Sequence, residues 1–294
     1  MNEKNLKFIH CVKCKRRLSL EILDKTYEIN EGFLFCNNCK LSFPIISKIP
    51  ILIENLSQFL KNRPSLGGLF IKSSSTKNMK NFIKNHLLQI SKPPNDFFQI
   101  EKRWTKIYLT NKRSSFYRNV KSVISKIPQK NFVIEYGSSI GIISNTLALR
   151  HKHVFGIDTS FSALLEAKNK SPKNCEYLLA DVIQNPFGRI KFDFILALNL
   201  LELVDPSFLL KNISKQISNG FILLTDPYDY DRGKNSVKSP LDEKQIRNVL
   251  SENGFKITMN TKNPAKINWN LQINTRTKLN YKVDLIIGRK NTRI

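Results

Sequence analysis

Residues 132–158 constrain this chain more than any other stretch. Phe132-Val-Ile-Glu-Tyr136 is a short apolar run ending at Gly137, too short for a helix and bounded like a buried strand. Gly137 and Gly141 bracket a tight turn, and 142–150 continue with helical spacing. Residues 153–157 supply a second strand that ends at Asp158. Strand, glycine turn, helix, strand and acid form the βαβ unit that sets a nucleotide's polar end at a helix N-terminus and its ribose on the acid. An ordinary βα turn is the bland alternative.

Two cofactor classes share that plan, and spacing separates them. A dinucleotide fingerprint reads G-x-G-x-x-G, whereas this turn reads Glu135-x-Gly137-x-Ser139-x-Gly141, with an acid two residues before the first glycine. It resembles the first motif of class I S-adenosylmethionine-dependent methyltransferases, usually E/D-x-G-x-G-x-G. The resemblance implies that Glu135, Gly137, Ser139 and Gly141 hold the methionine moiety and that Asp158 takes the ribose hydroxyls. Ser139 stands where that family usually has its middle glycine. Either its hydroxyl turns away from the cofactor, or it fills the space and the site is dead.

The resemblance extends from about Val133 to Arg289. Ser160 caps a helix from Phe161, and a third strand ends at Ala180-Asp181, whose acid in this family contacts the adenine amino group. Phe192-Asp-Phe-Ile-Leu-Ala-Leu198 matches the fourth strand, and Asp205-Pro206 opens the next helix. Asn219-Gly220 precedes a fifth strand over 221–225, and Ser239-Pro-Leu-Asp242 reads as a capping box. Strands over 255–259 and 281–288 close the series, the latter antiparallel in this family. The implied fold class is α/β, a Rossmann-like sheet with helices on both faces.

Four of the five cysteines fall into pairs, Cys11-x-x-Cys14 and Cys36-x-x-Cys39. Thiolates on two such turns complete a tetrahedral Zn²⁺ site, and between them 18–28 and 32–35 read as strands of a zinc ribbon. A ribbon that has lost its metal and a redox dithiol are the alternatives. The following Phe43-Pro-Ile-Ile-Ser-Lys-Ile-Pro50 looks like the turn of a small zinc-ribbon family that accompanies or activates tRNA and protein methyltransferases. Lys48 replaces that family's usual glycine. Cys175 has no partner in the pattern and reads as a small apolar residue near a strand.

Charge and length add bounds. The 294 residues carry Lys+Arg 48 against Asp+Glu 23, a net charge of +25, which favours polyanions such as nucleic acid. The excess is dispersed without a basic tail, so compositional bias explains it equally well. The first ten residues are polar without an apolar core, and the best apolar run, 192–204, carries Asp193, Asn199 and Glu202. No signal peptide or membrane span is expected, and the expected compartment is the cytoplasm. Expected domains are the ribbon over 1–56, a helical linker and lid region over 57–130, and the methyltransferase domain over 131–294. Within the middle region, 77–90 and 116–127 have helical spacing, and 91–96 marks a break. Residues 97–108 gather aromatics for packing, a substrate lid or base stacking, and His86 reads as core.

Acceptor chemistry belongs outside the carboxyl ends of the strands. Asn199 follows the fourth strand, and Asp226-Pro-Tyr228-Asp229-Tyr230 follows the fifth. Asn199 lacks the Pro-Pro-Tyr of amino-directed nucleic-acid methyltransferases. The second stretch faintly looks like a turn in the methyltransferase half of ovothiol synthase, which methylates a histidine derivative. A polar loop with capping aspartates is the plain reading. Asn199, Asp226 and Tyr228 are therefore the candidate catalytic residues for a small amine or imidazole acceptor. An RNA or translation-protein acceptor, and a catalytically dead RNA-binding or partner-activating module, compete with it.

Overall fold

The computed structural model describes residues 1–89, 96–233, 237–258 and 260–291. The expected break at 91–96, apart from Asp96, and the expected helix and strand ends at Ile90 and Met259, lie outside the described residues. The ribbon region contains β1 (Ser19–Lys25), β2 (Ile29–Cys36), β3 (Leu41–Ile46) and β4 (Ile49–Leu52). Helices α1 (Leu56–Lys61), α2 (Pro64–Ser73), α3 (Lys77–Leu88), α4 (Phe97–Thr110) and α5 (Ser115–Ile124) follow. Then come β5 (Phe132–Tyr136), α6 (Ile142–Ala148), β6 (His153–Asp158), α7 (Phe161–Asn169), β7 (Cys175–Ala180) and β8 (Phe192–Leu198). The chain closes with α8 (Pro206–Lys215), β9 (Ile217–Asp226), α9 (Glu243–Glu252), β10 (Phe255–Ile257), β11 (Ile267–Gln272) and β12 (Lys278–Lys290).

Two compact units divide the chain: Met1–Lys106 with Ser139–Gly141 and Ile157–Arg189, and Ile107–Ser138 with Ile142–Gly156 and Ile190–Ile294. In the first unit β1 to β4 form an antiparallel meander, and β4 then pairs parallel with β7, Ile51 opposite Leu179 and Leu52 opposite Ala180. All four residues of β4 are buried, as a parallel strand covered on both faces requires. The β3–β4 hairpin turns through Ser47 (φ 50°) and Lys48 (φ 68°), two left-handed residues whose twist matches the flanking strands. Lysine thus adopts the conformation for which glycine is usual.

A buried ion cluster ties this unit together. Lys168 Nζ on α7 donates to Glu176 (3.0 Å) on β7 and to Glu28 (2.7 Å) beside β2. Burial alone would lower the lysine pKa, but the two carboxylates raise it above its usual value. Glu31 on β2 accepts the Ser75 N–H (2.7 Å) and Thr76 N–H (3.1 Å), fixing the start of α3.

In the second unit β5, β8 and β9 run parallel, with Ile134 opposite Ile195 and Leu196 opposite Leu223. β12 lies antiparallel on β9, as expected of the last strand, and pairs further with β10 and β11. Three local expectations change. β9 starts at Ile217 and runs through Asn219-Gly220, so that pair is strand and not a turn before it. Gly220 is required there because a Cβ would collide with the Asp193 carbonyl of the neighbouring strand. The capping box belongs to Asp242 and Gln245, one turn later than Ser239, whose N–H donates to Asp205 instead. His86 is half-buried rather than core, its Nδ1 hydrogen-bonded with Ser57 Oγ at 2.7 Å. Among the described residues no helix is long and apolar enough to cross a membrane.

Candidate metal and cofactor sites

The four paired cysteines converge. Their sulfur atoms all lie within 4.8 Å of one another, close to the ~3.8 Å edge of a tetrahedron with 2.3 Å zinc–sulfur bonds. Each knuckle is a tight turn: Lys15 N–H donates to Cys11 O (2.9 Å), and Lys40 N–H to Cys36 O (2.8 Å). Both lysines are left-handed (φ 61° and 57°), which turns the preceding thiols to one point. Cys39 N–H donates to Cys36 Sγ at 3.4 Å. Burial pushes the Cys11 thiol up to about 12, whereas the Arg16 backbone N–H draws Cys14 down to about 6. Four sulfur donors in this arrangement fit a structural zinc ion.

The first knuckle also grips the loop that follows β7. His10 N–H donates to Pro186 O (2.7 Å), and Lys15 Nζ to Asn185 O (3.1 Å). A Cβ on Gly188 would lie 2.9 Å from the His10 ring. That loop begins at Asp181, whose Oδ1 accepts the Ile183 N–H at 2.9 Å. Strand β4 meanwhile holds the Leu179-Ala180 end of the same loop through the β7 pairing.

Also in the first unit, Ser139 is left-handed (φ 48°), and its N–H donates to Asp158 Oδ2 at 2.8 Å. Asp158 Oδ1 accepts the Ser160 N–H at 2.8 Å. Burial raises the Asp158 pKa, while amide donation from Ser160, Ser139 and Thr159 works in the opposite direction. A carboxylate has about four lone-pair sites, so oxygens engaged by amides still have capacity for hydroxyl donors. Gly141 (φ 73°) tolerates no side chain, since a Cβ would collide with Tyr177 Oη and approach Ala167 Cβ to 2.7 Å.

In the second unit Glu135 is 3 % exposed and accepts the Ser144 hydroxyl, while Gly137 is left-handed (φ 69°). Ser138 Oγ is buried with no hydrogen-bond partner among the described residues, a polar atom suited to a ligand. Of the candidate catalytic residues, Asn199 follows β8, Asp226 ends β9 and Tyr228 lies in the loop after it. Asn199 (φ 53°) accepts the Thr225 hydroxyl at 2.8 Å. Asp226 accepts the Leu201 N–H (2.9 Å) on one oxygen and the Tyr228 N–H (2.8 Å) on the other, tying the two loops together. Tyr228 (φ 57°) donates its phenol to Asp284 at 2.8 Å.

Sequence reading missed what supports that tyrosine. Arg247 on α9 makes a bidentate pair with Asp284 on β12, at 2.7 and 3.0 Å. Burial and the Asp284 carboxylate push the Tyr228 phenol far above its usual range, so it stays protonated. Burial works against ionised Asp284, but Arg247 and Tyr228 hold it below the usual carboxylate range. Nothing local in sequence joins positions 228, 247 and 284.

Residues 134–224 match the family model of the methyltransferase domain, and residues 2–46 match that of Trm112p-like proteins. Among solved structures, N-methyltransferase NodS from Bradyrhizobium japonicum WM9, in complex with S-adenosyl-L-homocysteine, is 16% identical with a TM-score of 0.50. The match covers 66% of this chain and 97% of that one. A chain from the complex between the Haloferax volcanii Trm112 methyltransferase activator and a putative methyltransferase is 12% identical with a TM-score of 0.50, over 67% of this chain and 97% of that one. No curated protein matches. Residues 134–224 thus match a methyltransferase domain, and the solved structures share its fold. More particularly, the chain joins that domain to a Trm112p-like, cysteine-clustered N-terminal domain.

Proposed function

We propose that this methyltransferase acts on a small amine or imidazole-type metabolite. The carrying observation lies in the second unit, where two buried carboxylates, Glu202 (0 % exposed) after β8 and Asp226 (2 %) at the end of β9, stand beside the candidate acceptor residues, Asp226 holding the Leu201 and Tyr228 amides. Burial pushes the nearby Tyr230 phenol up to about 12, and Asp226, Asp242 and Glu202 add to the rise. Buried carboxylate oxygens offer hydrogen-bond acceptors to an N–H group and disfavour an anionic acceptor. S-adenosylmethionine, when bound, supplies a methyl group on a sulfonium, and transfer to nitrogen leaves S-adenosylhomocysteine and one proton to be lost. We assign its methionine end to Glu135, Gly137, Ser139 and Gly141, its ribose to Asp158 and its adenine to Asp181. Asn199, Asp226 and Tyr228 shape the acceptor side. Tyr228 serves as a ring wall and an acceptor oxygen, because its one O–H is committed to Asp284. Positioning and exclusion of water then do most of the work of an in-line displacement. Zn²⁺ on Cys11, Cys14, Cys36 and Cys39 has a structural role.

A second reading, methylation of RNA or a translation protein, is favoured by the Trm112p-like segment and the +25 charge. Purified full-length chain, methyl-labelled S-adenosylmethionine and a fractionated cell extract separate the two. Transferred label is expected in acid-soluble small molecules other than the cofactor, resolved from it by chromatography. Label confined to RNA or protein would overturn the metabolite assignment and establish the second reading.

Ser139 bears on whether the site is live. Its left-handed backbone is the conformation glycine prefers, so Ser139→Gly relieves rather than introduces strain. The variant is expected to keep or tighten S-adenosylhomocysteine binding by calorimetry. Silence from wild type with binding by Ser139→Gly would mean that the serine side chain closes the pocket.

A further inference from the structure

Helix α4 carries a carboxylate that the reading above does not use. Glu101 Oε1 accepts the Arg63 Nε–H at 2.7 Å, with the two side chains only 15% and 16% exposed. Its other oxygen, Oε2, is buried with no hydrogen-bond partner among the described residues. Arg63 is held in place over the Phe59 ring at 4.1 Å, so it stays on Oε1. Burial pushes the Glu101 carboxyl up to about 7; Arg63 pulls it down, and Asp158 and Asp96 add to the rise. Asp158, the acid assigned to the ribose above, is thus among the charges that act on Glu101.

Packing supports the same placement. One turn after Glu101, Thr105 Oγ1 donates to Glu101 O (2.8 Å) and is hydrogen-bonded with Ser162 Oγ (2.8 Å). Ser162 in turn contacts Ser160 Oγ at 3.2 Å, and the Ser160 N–H donates to Asp158. The 101–105 turn of α4 therefore packs against the 158–162 segment that presents the acid. All these residues belong to the first unit.

We propose that Glu101 is a second ribose ligand: Asp158 takes one hydroxyl of the cofactor's vicinal diol, and Glu101 Oε2 takes the other. A buried carboxylate oxygen without a donor is unfavourable, and a second carboxylate nearby makes it more so. A neutral diol relieves both, because it brings two O–H donors and no further negative charge. This inference rests on the cofactor reading above, and its test keeps the two apart.

Calorimetry would compare S-adenosylhomocysteine with its 2′-deoxy and 3′-deoxy analogues on full-length wild type, Glu101→Gln and Asp158→Ala, with thermal melts checking folding. Wild type is expected to bind the parent and to lose about tenfold for each analogue, the size of one charge-assisted hydrogen bond. Glu101→Gln keeps an oxygen for Arg63 and replaces the free acceptor. It is expected to bind the parent about tenfold less tightly and to show no further loss for one of the two analogues. Asp158→Ala should retain the loss for that same analogue. Unchanged parent affinity in Glu101→Gln, or both deoxy losses persisting in it, would assign Glu101 to Arg63 alone and overturn the proposal. Disappearance of both losses in Asp158→Ala would overturn it too, by giving Asp158 the whole diol. Absence of any binding by wild type and by Ser139→Gly would instead remove the cofactor reading, and this inference with it.

Discussion

Cys36→Ser protein is expected to purify without zinc, to lose the fold of its first fifty or so residues, and to bind S-adenosylhomocysteine at least tenfold more weakly than wild type. Wild type should hold one zinc per chain. The first two effects follow from the metal itself: structural zinc binding supplies ~10–16 kcal/mol, as much as the whole stability of many domains, ~5–15 kcal/mol. A ribbon of short strands over residues 2–46 has little core of its own to replace it. The third effect is transmitted through named contacts. His10 and Lys15, on either side of the first knuckle, hold Pro186 and Asn185, and β4 holds Leu179 and Ala180. Loss of the ribbon therefore releases both ends of the loop that starts at Asp181. Metal analysis, circular dichroism and calorimetry on the same preparation measure all three. Stoichiometric absence of zinc from a wild-type chain with an intact N-terminal fold would sink the metal assignment. Full cofactor affinity in zinc-free protein would show that the ribbon and the loop are not coupled.

Asp158→Ala is expected to weaken S-adenosylhomocysteine binding by at least tenfold while leaving zinc in place. One charge-assisted hydrogen bond contributes ~1.5–3 kcal/mol, and ~1.4 kcal/mol is already tenfold. The carboxylate also holds the Ser139 and Ser160 amides, so its removal loosens the glycine turn as well as the ribose contact. Asp181→Ala is expected to cost less, because its partner is a single amino group and its other acceptor role is a local turn. Equal affinity of wild type and Asp158→Ala in a titration would mean that the cofactor pocket lies elsewhere.

Much of this was legible in the chain because it is local. The Cys-x-x-Cys spacing, the glycine turn, and the strand ends at Asp158 and Asp181 are each set within a few residues, where backbone sterics and thiol chemistry leave few options. The helix starts at Ser160 and Asp205 were equally readable, since an N-cap reaches only three residues forward. Errors appeared where two local signals competed. Asn219-Gly220 has the composition of a turn, yet Gly220 is there because the neighbouring strand at Asp193 leaves no room for a Cβ. Ser139 and Lys48 look like departures from a glycine pattern, yet both take left-handed backbone in the folded chain.

Sequence alone determined the α/β class, the paired cysteines that meet at one point, and the acids that end their strands, because each depends on periodicity or spacing within one segment. Tertiary structure decided how those segments act on one another. Pairing of β4 with β7 makes the ribbon a lateral extension of the strand that leads into Asp181. Arg247, Asp284 and Tyr228 come together from three separate segments, Glu101 meets Arg63 at the start of α2, and the same turn of α4 meets Ser162 of α7 through Thr105. Contacts between residues tens of positions apart leave no periodic trace in a single chain. They exist because burial makes any unmatched charge or donor unfavourable, and only the folded packing determines which distant group answers it.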